Sequence, residues 1–321
     1  ELLKRKIAFT LELVEPGKSS LQAVIGYDSV RHTLLVRDAA ARHYRELDAR
    51  KLLDRYRGCG PRGMALLPAQ HAKHLDSLSL TEAEHYDQLY ALQDALAQQD
   101  RTRANEIYQT LQHRFGTHRL TWQAKLALAS YDGDHKQKLA CYEKLAELFP
   151  EDDYLKLEKV RGLGVLAHRN QRLEYLKKIC TRKASPLLWL EYAKELSDDA
   201  RQWPQAVRWM RKAWQRGVIE PRSVHLLATI CWQQQQCEEA LELYRFAACL
   251  DDSDESAAQS FFLAAHQLEQ TETALAFLHD RLQPVPTAQR LQTLFQSMVQ
   301  LGQKEDALAI LEASLTKAPD D

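Results

Sequence analysis

The side chains of this 321-residue chain that could support nucleophilic, metal or acid–base chemistry are thinly spread. Six cysteines, Cys59, Cys141, Cys180, Cys231, Cys237 and Cys249, form no Cys-x-x-Cys pair, and no histidine stands at zinc-finger spacing from them. Neither a metal centre nor a disulfide framework is therefore expected, and the usage fits a reducing, cytoplasmic setting. His71-Ala72-Lys73-His74 places two imidazoles three apart, a spacing that a helix could present to a metal, but no third ligand accompanies them. No Gly-rich phosphate loop occurs, so no cofactor is expected. Trp203, Trp209 and Trp214 interleave with Arg208, Arg211, Lys212 and Arg216, a mixture that would stack on single-stranded nucleic acid if the rings were free. Met210 and Ala213 fall on packing positions of the same stretch, so burial of the tryptophans is the expectation.

What any of these residues does depends on the elements that hold them. The chain is 45% hydrophobic and 27% charged, the balance of a folded globular protein. A formal net charge of -1 gives no sign of a nucleic-acid or anionic-membrane partner. Charge is nonetheless uneven: residues 159–222 carry fifteen basic and six acidic side chains, and residues 223–321 carry five basic and fifteen acidic. No run of about 18 apolar residues is present, so membrane insertion is not expected. The opening Glu1-Leu-Leu-Lys-Arg-Lys6 lacks the apolar core of a signal peptide.

Two periodicities divide the chain. Up to about Leu67, short apolar runs (Ile7–Leu11, Leu21–Ile25, Thr33–Val36, Met64–Leu67) alternate with turn formers such as Pro16-Gly17, and a helical stretch is predicted near Asp48–Tyr56. After His71 the pattern is helical throughout, with Thr81 and Glu84 spaced as a capping box. Residues 1–70 are thus expected to form a small β-rich region and residues 81–321 a helical one.

The helical region repeats. From Ala104, steps of 34 reach Lys138, Arg172, Ala206, Ala240 and Ala274, and a step of 33 reaches Ala307. Four residues after these anchors stand Tyr108, Tyr142, Leu176, Met210, Tyr244, Leu278 and Leu311, large and apolar in each case. An i, i+4 pair of small and large residues marks the packing face of a helix that a neighbour approaches closely. Leu227, Phe261 and Leu294, thirteen residues before three anchors, mark the core face of a preceding helix, while Pro150, Pro221, Pro286 and Pro319 fall near unit ends.

This pattern resembles the tetratricopeptide repeat family over seven units, about residues 81–319. The last unit is the clearest, with Leu294-Phe295, Gly302, Ala307-Leu308, Leu311 and Pro319 at that family's apolar, turn, small, apolar and terminating positions. Lys138 and Arg172 depart from the small-residue position, which puts the packing of those two units in doubt. The resemblance implies a mainly α fold, a right-handed α-solenoid of helix pairs whose first helices line an inner groove that holds a protein or peptide. Counting along those helices places Arg222, His225, Thr229, Trp232, Gln259, Gln292 and Gln296 toward the groove. Gln and Thr both donate and accept hydrogen bonds to an extended backbone, and Trp232 is an anchor of the type enriched at interfaces. Family members that grip C-terminal carboxylates use Lys and Asn where this chain has Gln, so that ligand class is not expected.

The first seventy residues carry a second resemblance. Ser20-Leu-Gln-Ala-Val-Ile-Gly-Tyr-Asp28, Leu34-Leu-Val-Arg-Asp38, Tyr56 and Arg62-Gly-Met-Ala-Leu-Leu-Pro68 are similar to the second half of papain-like, bacteriocin-processing cysteine peptidases. In that family one strand begins with the catalytic His and its neighbour ends in the Asp that orients the imidazole. Asp38 matches the orienting position, but Ser20 stands where the His belongs and cannot serve as its base. The helix bearing the reactive Cys has no counterpart, and Cys59, set between Gly58 and Gly60, is a poor substitute. The implied function is a non-catalytic, pseudo-peptidase scaffold of bacterial type. The alternative is the C-terminal portion of an active cysteine peptidase whose Cys-bearing half lies elsewhere.

Overall fold

The computed structural model describes residues 2–16, 18–39, 41–56, 58, 62–65, 67–68, 78, 80–251, 253–282 and 287–317. The expectations attached to Cys59, His71, His74, Pro286 and Pro319 lie outside the described residues. The chain divides into two compact units, Glu1–Leu188 and Trp189–Asp321.

The first unit opens with strands β1 (Phe9–Glu15), β2 (Lys18–Asp28), β3 (Thr33–Asp38) and β4 (Arg45–Asp48), helix α1 (Ala49–Tyr56) and strand β5 (Arg62–Met64). They form one antiparallel sheet in the order β4-β3-β2-β1-β5. Strict alternation sends Leu11 and Leu13 of β1, Val24 of β2 and Val36 of β3 to one face, where they close on Leu52 of α1. The register between β2 and β3 shifts between Val24 and Gly26. A Cβ on Gly26 would lie 2.9 Å from Leu35 Cδ1, so glycine lets β3 approach at the bulge. Strand β4 was not expected. Its sequence Arg-Glu-Leu-Asp is exposed apart from half-buried Leu47, a polar edge with no apolar run to announce it.

Seven helix pairs follow. In the first unit these are α2 (Ala83–Ala97) with α3 (Arg101–Phe115), α4 (Arg119–Tyr131) with α5 (His135–Leu148), and α6 (Asp153–Val165) with α7 (Arg169–Ile179). Helix α8 (Pro186–Ser197) crosses the division and is followed by α9 (Trp203–Gln215). The second unit continues with α10 (Pro221–Gln233), α11 (Cys237–Leu250), α12 (Ser256–Gln267), α13 (Thr271–Asp280), α14 (Ala288–Gln300) and α15 (Lys304–Lys317). Each of the seven anchors is the fourth residue of the second helix of its pair. Ala104, Ala206, Ala240 and Ala274 are fully buried and Ala307 nearly so. Among the described residues, no helix is long and apolar enough to cross a membrane.

The two charged anchors are accommodated differently. Arg172 is buried, and its Nε donates to the carbonyl of Val160 at 3.1 Å. Gly164 of α6 faces it, where a Cβ would already stand 3.4 Å from the guanidinium. Gly162, two residues earlier, lies against Leu139 of α5. The small residue has moved from the second helix of the pair to the first, at a helix-propensity cost of about 1 kcal/mol per glycine. The packing that charged anchors put in doubt is kept by this exchange, and the 34-residue period survives. Lys138 stays half-buried.

The turns within pairs are equally regular. Gln99, Gly133, Ala167, Gln235, Glu269 and Gly302, each five residues before an anchor, adopt left-handed φ values between 56° and 80°. Only two are glycine, so the other four hold a conformation that costs L-residues about 1 kcal/mol. The expected capping box does not form. Helix α2 begins at Ala83 with Glu82 before it and no side-chain cap. The Glu82 carboxylate is bound by Arg119 and His118 and the Glu84 carboxylate by Arg114, side chains that only the folded pairs bring near.

Candidate peptide-binding face

The sequence-predicted binding residues all fall on the first helices of the second unit. Arg222, His225, Thr229 and Trp232 lie on α10, Gln259 on α12, and Gln292 and Gln296 on α14. These helices are neighbours: His225 Nε2 lies 2.9 Å from Ser260 Oγ of α12, and α12 packs against α14. An open polar pocket is lined by Arg222, Asp251, Ser253, Asp254, Glu255 and Gln289, joining the N-terminal ends of the three helices.

The seven residues differ in availability. Arg222 has its side chain 85% exposed and is held only loosely, 3.8 Å from Asp254 Oδ2, so it is free to reorient. Gln259, Gln292 and Gln296 are exposed and Trp232 is half-buried. His225 is half-buried beside the Tyr244 ring, and burial lowers its pKa from 6.5 against the opposing pull of Asp254, which keeps the imidazole neutral at pH 7. Thr229 donates to the His225 carbonyl at 3.0 Å and accepts from the Tyr244 hydroxyl at 3.2 Å. His225 and Thr229 are therefore already engaged within the unit, and the open surface is made by Arg222, Trp232 and the three glutamines.

Two acids of the pocket wall have pKa values held below the usual carboxylate range. Asp251 is lowered mainly by the Ser253 hydroxyl and Asp254 mainly by Ser256. Glu255 is paired with Arg281 at 2.9 Å, with both side chains about nine-tenths buried.

In the first unit, a first-helix residue at the same repeat position holds main chain. Gln123 of α4 donates from Nε2 to the main-chain carbonyl of Gly58 at 2.9 Å. Gln123 stands fifteen residues before its anchor Lys138, and His225, Gln259 and Gln292 stand fifteen before Ala240, Ala274 and Ala307. The position is not polar throughout: Leu89 and Leu157 occupy it in the other pairs of this unit and are buried. Gly58 is itself buried, and sequence reasoning did not single out Gln123 or Gly58. A polar residue on the same count as the predicted glutamines was the available signal.

In the N-terminal sheet, Asp38 meets Gln22 rather than Ser20. The β2–β3 register sets Gln22 opposite Asp38, and Gln22 Nε2 donates to Asp38 Oδ2 at 3.1 Å while Arg45 Nη1 lies 3.5 Å away. Ser20 is one step further along the same face of β2, paired across to Leu13. Among cysteines, burial pushes the Cys141 thiol up to about 11 and the Cys180 thiol up to about 12, values that leave no thiolate at neutral pH. Among the described residues, no group of three or more His, Cys, Asp or Glu is placed to hold a metal ion. The three tryptophans of the α9 region are half-buried: Trp203 Nε1 donates to the Ser197 carbonyl, Trp214 Nε1 to Ser223 Oγ, and Trp209 lies between Trp189 and Tyr192.

No family model matches the chain, and no curated protein matches it. Solved structures do. A tetratricopeptide repeat protein from Parabacteroides merdae ATCC 43184 aligns with a TM-score of 0.52 at 10% identity, over 73% of this chain and 93% of that one. The type IV pilus biogenesis factor PilW gives 0.49 at 13% identity, over 66% and 98%. The Cut9-Hcn1 hetero-tetramer of the APC/C gives 0.46 at 12% identity over 78% of this chain, which spans about half the length of that neighbour. At such identities the likeness is one of fold, and the first of the three carries it: the helix pairs are of tetratricopeptide type.

Proposed function

We propose that the chain is a non-catalytic scaffold that binds a polypeptide segment in extended conformation along the first helices α10, α12 and α14. The observation that carries this reading is the Gln123–Gly58 hydrogen bond, in which the repeat position shared with Gln259 and Gln292 holds a main-chain carbonyl. A side-chain amide both donates and accepts, so successive glutamines match the alternating groups of an extended backbone without demanding particular side chains. Trp232 and Arg222 supply the specificity: an aromatic anchor and a cation able to leave Asp254 for a ligand acceptor. Gln296 extends the row, and Thr229 and His225 support it from within.

The N-terminal sheet reads, in the same proposal, as an inactive papain-like remnant. Serine occupies the base position, and the carboxylate that would orient an imidazole is instead engaged by Gln22 and Arg45. A thiol-directed activity probe should label no cysteine preferentially; fast labelling of one, lost on Asp38→Ala, would revive the peptidase alternative.

The binding reading is tested by selecting peptides from a displayed random library on the full chain and measuring the affinity of a selected peptide for variants. Trp232→Ala is expected to weaken it by about 2 kcal/mol, roughly thirtyfold. Arg222→Ala should weaken it with stability held within about 0.5 kcal/mol, as for an exposed substitution. Lower stability in both variants with affinity unchanged would place the binding surface elsewhere.

A further inference from the structure

The contact around Gly58 has the features of a bound ligand rather than of a second core. Its carbonyl is read by Gln123 from the first helix of one pair, and its Cα rests on the start of the first helix of the next. A Cβ at this residue would lie 2.8 Å from Asp152 Oδ2, 3.0 Å from Leu155 Cδ1 and 3.2 Å from Phe149 Cβ. These neighbours have little room to yield. Asp152 is held as the cap of α6 by the amides of Tyr154 and Leu155, and Phe149 Cβ is fixed to its backbone. Leu155 is fully buried in the cluster it forms with Tyr142 and Leu145. The site is dry enough that burial raises the Asp152 pKa in spite of those amide bonds. Shape therefore demands a residue without a side chain, and hydrogen bonding demands an exposed main-chain carbonyl.

We infer that the face made by Gln123, Phe149, Asp152 and Leu155 is a binding site for main chain that carries glycine, and that the chain occupies it itself through Gly58. The N-terminal sheet, whose β1 also touches α6, is then held on the helices of its own unit as an intramolecular ligand. A segment from elsewhere with glycine at the matching place competes for the same site. The inference goes beyond the binding proposed for the second unit and does not depend on it.

The test uses the full chain, under reducing conditions, and a fluorescent peptide of residues 54–65. Gly58→Val empties the site by clash, so the peptide is expected to bind this variant at least tenfold more tightly than the wild type, whose own segment competes. Adding Gln123→Ala to Gly58→Val should weaken binding at least tenfold, and a peptide carrying the same Gly58→Val change should not bind. Far-ultraviolet circular dichroism checks that the helices are intact; Gly58→Ala, a smaller intrusion, gives the same comparison if the valine variant fails to fold. Equal binding to wild type and variant, or no binding to a folded variant, overturns the inference. Glu106→Ala, an exposed change on α3 that belongs to neither face, should leave peptide binding intact in the Gly58→Val background. Binding that Gln123→Ala leaves unchanged would move the peptide off this face, defeating this inference and leaving the other reading standing.

Discussion

The pairs α4–α7 and α10–α15 keep a repeat of 33 or 34 residues by opposite means. In the later pairs the second helix carries a buried alanine at each anchor, and the first helices α12 and α14 bear exposed glutamines. In α4–α7 the anchors are Lys138 and Arg172, the small residues are Gly162 and Gly164 on the first helix, and the first-helix face is covered at Gly58. The period thus belongs to the geometry of the helix pair, whereas which helix supplies the small residue, and whether the face is filled, are local choices.

The sharpest break would come from overpacking. Ala240→Trp should cost about 1–3 kcal/mol, since a fully buried anchor has no room, while Lys138→Trp, at a half-buried anchor, should cost under about 0.5 kcal/mol; chemical denaturation of both variants checks the contrast. Next is the exchange of volumes in α6 and α7. Arg172→Ala removes a buried stem and leaves space beside Gly164, so it should destabilise, and Gly164→Ala should be more favourable in that background than in the wild type by about 0.5 kcal/mol or more. Additive effects in the double-mutant cycle would mean the two residues do not share a site.

A smaller effect separates the turns. Ala167→Gly should stabilise by about 0.5–1 kcal/mol by relieving a left-handed alanine, and Gly133→Ala should destabilise by a similar amount, both read from melting curves. The smallest concerns Asp152. Because burial raises its folded pKa above 3.8, its favourable contribution is present below that value and is lost as pH rises through the folded pKa. Asp152→Asn keeps the cap without the buried charge. It should therefore be the more stable protein at pH 7, with the advantage shrinking as pH falls through the raised folded pKa and gone below about 3.8; a difference that stayed constant from pH 7 down past that value would contradict the assignment.

The array was legible because its signal is periodic: a large apolar residue stands four after each of seven anchors, five of them alanine, and each anchor proves to be the fourth residue of its helix. Less regular features were not. Strand β4 is a short polar edge whose pairing comes from its neighbour rather than from its own apolar content. The Gln22–Asp38 contact depends on a register that a bulge at Val24–Gly26 shifts, and no count along β2 alone supplies that shift. Among the seven residues proposed for binding, the placement on first helices followed from the period. The engagement of Thr229 and His225 by Tyr244 and Ser260 did not, because it arises between helices that only the fold brings together.

The central claim is that the first-helix position of Gln259 and Gln292 reads a peptide backbone as Gln123 reads Gly58. The most direct measurement is the affinity of a library-selected peptide for the full chain and for its Gln259→Ala, Gln292→Ala variant. Both side chains are exposed, so stability should stay within about 0.5 kcal/mol per site while affinity falls at least tenfold. Unchanged affinity in a variant of unchanged stability would contradict the claim.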